Sequence, residues 1–374
     1  MRCRIILDSE ALRHNYLTFQ QLTAPSVAVP IVKSNAYGHG LKEVYTALKP
    51  THPPWLGVNY LTEAAELRDL GFGGRILVVG PVSAAQVARA ADLDLDIFLI
   101  EPLMFAAWLS LTQKPRAHLK VDTGMSRQGF LPEDIAALLE QLRANKERLV
   151  GLCSHFSNVE DVLDQSYALQ QLAAFERVEN LFRSEGFELM SHIAASSSAL
   201  IMPKARFALT RIGISLYGLW PSRTNQLSFL QSQGQTIELK PVLRWLTEVA
   251  IVKKVNAGQF IGYGCTYKAL RHMTIAVLPV GYFEGYPRLA GNRGHVLIQG
   301  EQCPIVGRIC MNMMMVDVTH LAHVTVGEPV TLIGRDDNEV IDASTIGDWA
   351  ETIHYEIVTQ LNPAIPKELS GSNS

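Results

Sequence analysis

Cysteine is scarce and scattered in this 374-residue chain: five residues, Cys3, Cys153, Cys265, Cys303 and Cys310, with no C-x-x-C pair among them. An odd number at such spacings argues against a disulfide framework and against a zinc site, so the reading is a reducing cytoplasm and no bound metal. Charge is sparse as well. Charged residues make up 18% and the net charge is only −3, without the basic surplus that nucleic-acid binding needs. No apolar run approaches membrane-spanning length. The opening Met1-Arg2-Cys3-Arg4-Ile5-Ile6-Leu7-Asp8 ends its three-residue apolar run in an acid, unlike a secretory signal. What is plentiful is apolar residues, at 48%, the balance of a soluble globular enzyme with a small-molecule substrate and no nucleic-acid or membrane partner.

The length exceeds one ordinary hydrophobic core and favours two domains. From about residue 27 to about 218, short β-branched runs alternate with segments of helical period. The expected strands are Val27–Lys33, Trp55–Asn59, Arg75–Gly80, Asp96–Ile100, Arg116–Asp122, Leu149–His155, Leu189–Ala195 and Leu209–Gly213. Between them a helix is expected after Asp161, with Leu163, Tyr167, Leu172, Phe175, Val178 and Phe182 recurring at three-to-five-residue intervals and Gly186 as its stop. Another opens at Thr62 with Glu63 and Glu66 in its first turn, which suits the positive end of a helix dipole. Eight such units predict a (β/α)8 TIM barrel over residues 8–223.

After Pro221 the pattern changes. Thr224–Gln235 is polar, and beyond it lie strand-like runs at Val249–Val255, Met273–Val280, His295–Gln299, Cys303–Val306, Met313–Val318 and Pro329–Ile333, with one late helical segment over Ser344–Leu361. A mostly-β C-terminal domain is therefore expected over residues 224–374, with residues 1–7 available to pack with it.

Catalytic groups of such barrels gather at the C-terminal ends of the strands. Lys33 ends the first expected strand, Lys120 and Asp122 the fifth, and His155 the sixth; Ser196 follows the seventh, and Arg211 and Gly213 close the eighth. A Schiff-base lysine would sit where Lys33 does, because a desolvated amine near other cations loses its proton and becomes nucleophilic. Taken alone, Lys33 reads more readily as a solvated lysine capping a strand, Ser196-Ser197-Ser198 as a helix N-cap, and His155 as a core histidine.

The run Val32-Lys33-Ser34-Asn35-Ala36-Tyr37-Gly38-His39-Gly40 resembles the cofactor-lysine motif of alanine racemases. Further motifs similar to that family follow in the same order: Lys120–Gly129, Ser154-His155-Phe156, Arg211–Gly218, Gly262-Tyr263-Gly264 and Gly307–Met311. The resemblance implies a barrel followed by a β domain, pyridoxal 5'-phosphate carried on Lys33, and a homodimer whose active sites are shared between subunits. It makes Lys33 and Tyr263 two opposed bases, Tyr263 coming from the partner, since two groups can pass a Cα proton between faces where one rigid base cannot. It implies Arg211 as the donor to the cofactor's ring nitrogen, His155 against the ring, and Tyr37, Ser196, the amides of Gly213 and Ile214, and Tyr355 around the phosphate. Arg127 would steady the cofactor and the substrate carboxylate, Met311 would shape the side-chain pocket, and Lys120 corresponds to a lysine that is often carbamylated. D-Alanine for peptidoglycan would be the product.

Two positions depart from the family's pattern. Asn312 follows Met311 where an aspartate is usual, and Gly281-Tyr282-Phe283-Glu284-Gly285-Tyr286 carries glutamate where the family has aspartate. These changes leave substrate breadth open, with a broad-specificity or serine-preferring racemase as the alternative. A pyridoxal-phosphate decarboxylase of basic amino acids would place a carboxylate at Arg211 and a glycine-rich phosphate loop that is not found. A single-domain barrel that holds the cofactor for homeostasis would lack the β domain and Tyr263.

Overall fold

The computed structural model describes residues 2–232 and 237–371. The chain divides into two compact units, one of Ala11–Ser34 and Val44–Pro241, the other of Met1–Glu10, Asn35–Glu43 and Val242–Ser374.

The first unit is the barrel. Its strands are Val27–Pro30, Trp55–Val58, Arg75–Val78, Leu95–Leu99, Arg116–Lys120, Leu149–Cys153, Met190–His192 and Leu209–Ile212, referred to below as the first to the eighth. The second to the seventh form one parallel sheet, and the first and eighth pair in parallel with each other. The ring closes through an Ile31–Gly57 bridge on one side and the Arg211 N to Ala194 O hydrogen bond, 3.1 Å, on the other. All eight strands lie at their expected places. Three are buried at every residue and the other five at all but one, and most are rich in Val, Ile and Leu, as strands covered on both faces require.

The helix expected from Asp161 begins at Ser166 and runs to Ser184. Leu163 precedes it and is 94% exposed, because Asp161 Oδ1 accepts the amides of Leu163 and Asp164 and holds that stretch as a turn. Tyr167 is also exposed, its hydroxyl donating to Gly124 O at 2.7 Å. The polar stretch Thr224–Gln235, expected to open the C-terminal domain, is largely the helix Arg223–Ser232, with residues 233–236 outside the described part. Ser222 Oγ accepts the Asn225 amide at 3.0 Å as its cap, and Asn225 and Phe229 are fully buried within the barrel unit. Two buried positions among the nine residues 223–231 were too few to register as a helical period.

The second unit is mostly β. One sheet runs in the order Glu301–Pro304, His295–Ile298, Pro329–Asp336, Leu243–Glu248, Arg4–Asp8 and Lys367–Ser370, with Glu339–Ile341 on Pro329–Asp336. Arg4–Asp8 thus pairs antiparallel with Leu243–Glu248 and parallel with Lys367–Ser370. A second sheet joins Ile251–Val255, Met273–Leu278 and Met314–Asp317 over a small core of Val255, Ile261, Met273, Ile275 and Val306. The single late helix expected from the sequence is two, Ala343–Trp349 and His354–Thr359. They are separated where Glu351 takes φ 56° and Thr352 N turns back to Gly347 O at 2.9 Å. Residues 372–374 of this domain lie outside the described part.

Candidate active site

Lys33 stands where the first strand gives way to a left-handed turn. Ser34, Asn35, Ala36 and Tyr37 have φ of 57°, 53°, 53° and 53°. Each L-residue in that region costs about 1–2 kcal/mol, so a run of four persists only where surrounding groups hold it. Glu63 Oε1 accepts the Ser34 amide at 2.5 Å and its Oε2 accepts those of Asn59 and Tyr60 at 2.8 and 3.2 Å, so the acid expected at a helix N-terminus also clamps this turn. Asn35 Oδ1 accepts Leu41 N, and Asn35 O accepts Gly40 N, both at 2.9 Å.

Around Lys33 the barrel unit gathers cations. Burial lowers the pKa of Lys33, and Arg127 and Arg211 push it the same way, against Glu63. Lys120, 6% exposed, is lowered to about 7 by burial, with Arg211 and Arg127 adding to the effect. Burial, then Arg211, Lys120, Arg127 and Lys33, hold His155 well below the ordinary histidine range. Burial brings Arg211 down to about 10, which still leaves its guanidinium charged at neutral pH. The nearby acids are already engaged: Glu63 as above, and Asp122, whose Oδ1 accepts the amides of Gly124, Met125 and Ser126 at 2.9–3.0 Å. Lys120, Asp122, Met125, Arg127, Ser154 and His155 line one cleft. Its surroundings call for an anion.

Arg211 is held from several sides. Its Nη2 lies 2.8 Å from Ser154 O, 2.9 Å from Ile193 O and 3.2 Å from His155 Nδ1, and its Nη1 is bonded to His192 Nδ1. Its Nε has no partner among the described residues and is the donor left for a ligand. Ser196 Oγ accepts the Gly213 amide at 2.9 Å, which ties the turn after the seventh strand to the turn after the eighth. Ile214 opens a short 3-10 helix whose first amides have no partner within it.

The remaining expected residues lie in the β unit. The rings of Tyr37 and Tyr355 are 6.4 Å apart there. Tyr263 sits between Gly262 and Gly264, at φ 75° and 72°, and a Cβ on Gly264 would meet the Arg308 guanidinium. This glycine pair allows the tight turn that leaves Tyr263 70% exposed. Met311 is 55% exposed, in a turn whose carbonyl accepts the Phe283 amide at 2.9 Å. Three polar residues of the barrel interior, Asp96, His118 and His192, escaped the sequence reading. Their placement within strands, two residues from other inward positions such as Phe98 and Lys120, was the available signal.

The residues present fit pyridoxal 5'-phosphate by the chemistry of the donor set. A lysine with a lowered pKa suits an aldehyde, a free guanidinium Nε suits a ring nitrogen, and surplus positive charge suits a phosphate and a carboxylate.

Known proteins match the chain along nearly its whole length. The family model described as alanine racemase, N-terminal domain, matches residues 7–221, and that described as alanine racemase, C-terminal domain, matches residues 242–369. An alanine racemase of Leptospira interrogans is 36% identical over 97% of this chain and 94% of its own. One of Symbiobacterium thermophilum is 34% identical over 98% and 97%. The crystal structure of alanine racemase from E. faecalis superposes with a TM-score of 0.90 at 33% identity, covering 99% of this chain and 98% of that one. That from Streptomyces lavendulae gives 0.90 at 30%, covering 100% and 98%.

Proposed function

We propose that this chain, which belongs to the alanine racemase family, interconverts L-alanine and D-alanine using pyridoxal 5'-phosphate, the cofactor on which that family depends. The observation that carries the reading is the partly buried Lys33, with its lowered pKa, among Lys120, Arg127 and Arg211 in a barrel of this family. When bound, the cofactor withdraws electrons from an attached amino acid and makes its Cα proton removable.

Lys33 would hold the cofactor through its amine, which burial and then the neighbouring guanidinium groups keep closer to neutrality than a surface lysine. Arg211 would donate through Nε to the ring nitrogen, and being a donor only, it would leave that nitrogen unprotonated and restrain electron withdrawal. That favours prompt return of the proton to Cα over transamination. His155 would lie against the ring. Ser196 and the amides of Gly213 and Ile214, with the hydroxyls of Tyr37 and Tyr355, would hold the phosphate. Arg127 would orient the substrate carboxylate, and a carbamate on Lys120 would turn a repelling cation into its partner. The Lys33 amine would take or return the proton on one face of Cα, and the partner subunit's Tyr263 on the other.

This reading makes the protein a cytoplasmic homodimer that supplies D-alanine for peptidoglycan. The exposure of Phe260, Tyr263, Tyr282, Phe283, Met311 and Met313 on the β unit supports association, since a soluble monomer seldom leaves so much apolar surface open.

The test is to incubate the protein, loaded with cofactor, with L-alanine and separately with L-serine in deuterated water, followed by chiral analysis. D-Alanine carrying deuterium at Cα is expected. Faster turnover of serine would favour the broader racemase, for which Asn312 and Glu284 beside Met311 are the motivating positions. No exchange with either amino acid would overturn the assignment.

A further inference from the structure

A polar thread runs through the interior of the barrel unit. Asp96 is the second residue of the fourth strand, His118 the third of the fifth, His192 the last of the seventh and Arg211 the third of the eighth. All four are buried, the first three completely. At the start of the thread Arg75 and Arg116, each the first residue of its strand, bind the carboxylate: Arg75 Nε lies 3.2 Å and Arg116 Nε 3.1 Å from Asp96 Oδ2, and Arg75 Nη2 is bonded to Oδ1. His118 Nε2 lies 3.2 Å from Asp96 Oδ1, and His118 Nδ1 lies 2.9 Å from His192 Nε2. His192 Nδ1 is bonded to Arg211 Nη1.

The donor at one end dictates the direction of every bond. A guanidinium only donates, so His192 Nδ1 must accept, and the proton of the neutral His192 ring sits on Nε2. That N–H donates to His118 Nδ1, which places the His118 proton on Nε2, facing a carboxylate that only accepts. Both rings are thus neutral in one tautomer, and a further proton on either would set N–H against N–H. Burial and then Arg211 hold His192 well below the ordinary histidine range. Burial also works to raise Asp96, but the hydrogen bonds from His118 and Arg75 outweigh it and keep the acid ionised, at about 2.

We propose that Asp96, His118 and His192 are positioning residues for Arg211: a carboxylate, acting through two neutral imidazoles of fixed tautomer, anchors Nη1 so that Nε is presented to the ring nitrogen of the cofactor. The ligand in this statement rests on the function proposed above; the relay itself does not. An arginine has several rotatable bonds, and one that must meet a single ring atom gains from anchoring on the side away from the ligand.

Histidine resonances of the 15N-labelled protein, with and without cofactor, test the relay directly. His192 should show an unprotonated Nδ1 and a protonated Nε2, unchanged between about pH 5 and 9. His118→Phe keeps a ring but breaks the thread. In that variant His192 should keep Nδ1 as the acceptor of Arg211 but lose the acceptor for its Nε2–H, seen as a shift of the Nε2 resonance, and kcat for alanine should fall by about tenfold or more with little change in KM. His192→Leu should behave alike, whereas His192→Gln, whose amide oxygen accepts from Arg211 and whose amide nitrogen donates to His118, should retain most of kcat and separates a relay from mere packing. A protonated Nδ1 on His192, or kcat unchanged in both His118→Phe and His192→Leu, would overturn the proposal. The tautomer readout needs no turnover, so failure to racemise any amino acid would count against the assigned function and leave the relay to be judged on the His192 resonances.

Discussion

Asn312 Nδ2 donates to Glu284 Oε1 at 2.8 Å, so the two positions at which this chain departs from the racemase motifs form a single contact. Glu284 is buried, and its Oε2 accepts the Gly281 amide at 2.8 Å. The lengthened acid and the amide are complementary, one acceptor against one donor, and they tie the turn carrying Met311 to the Gly281–Gly285 turn. Replacing Asn312 by Ala leaves a carboxylate oxygen without its donor and should cost about 1–3 kcal/mol. Asn312→Asp sets two acids against each other at that spacing. Its loss at neutral pH should be at least as large and should shrink as the pH falls and one acid takes a proton. Thermal unfolding of both variants across pH measures this, and equal stability to the parent at pH 7 would remove the pair from the account.

Tyr263→Phe removes a hydroxyl from a ring that is 70% exposed, so the fold should be little affected. Loss of one of two bases should slow both L-to-D and D-to-L turnover by about 10²–10⁴-fold, while the chromophore formed with Lys33 persists. Initial rates in each direction, set beside the visible spectrum, measure this. An unchanged rate would reject the two-base assignment.

Lys120 at about 7 is partly neutral at physiological pH, and only a neutral amine adds carbon dioxide. With 13C-bicarbonate the protein should therefore show a carbamate carbonyl resonance that Lys120→Ala lacks. The signal should rise between about pH 6 and 8, well below the range near 10.4 in which ordinary lysines lose their protons. The sign for stability is the same. A lysine with a lowered folded pKa keeps the unfolded chain more protonated between the two values, so the unmodified fold gains stability as pH rises from about 7 and loses it as pH falls. Absence of the resonance at any pH would leave Arg127 facing an unmodified amine.

Gly38 has φ 81°, and a Cβ there would strike the Val358 carbonyl within the β unit. Gly38→Ala combines a forbidden backbone region with a backbone clash and should cost about 2–4 kcal/mol, visible as a lowered denaturant midpoint. A variant as stable as the parent would show that this turn adopts another path.

The barrel was legible because each strand is a short apolar run bounded by polar turns, a local pattern that needs no knowledge of distant contacts. The candidate residues at the strand ends followed from the same register. What escaped was set by distance along the chain or by sparse periodicity. Residues 1–7 read as available to the C-terminal domain, but that Arg4–Asp8 is a strand shows only where Leu243–Glu248 and Lys367–Ser370 flank it. Arg223–Ser232 reads as polar because few of its side chains face inward.

By itself, then, the sequence determined the order of the barrel strands, the positions of Lys33, Arg127, Arg211 and Tyr263, and the family they belong to, since these are carried by residue identity and short spacing. Tertiary structure alone decided the left-handed turn after Lys33, the pairing of Asn312 with Glu284, and the thread from Asp96 through His118 and His192 to Arg211. The pairing and the thread depend on which donor faces which acceptor between segments far apart in the chain. Hydrogen-bond direction at such contacts is a property of the packed interior and leaves no period in the sequence.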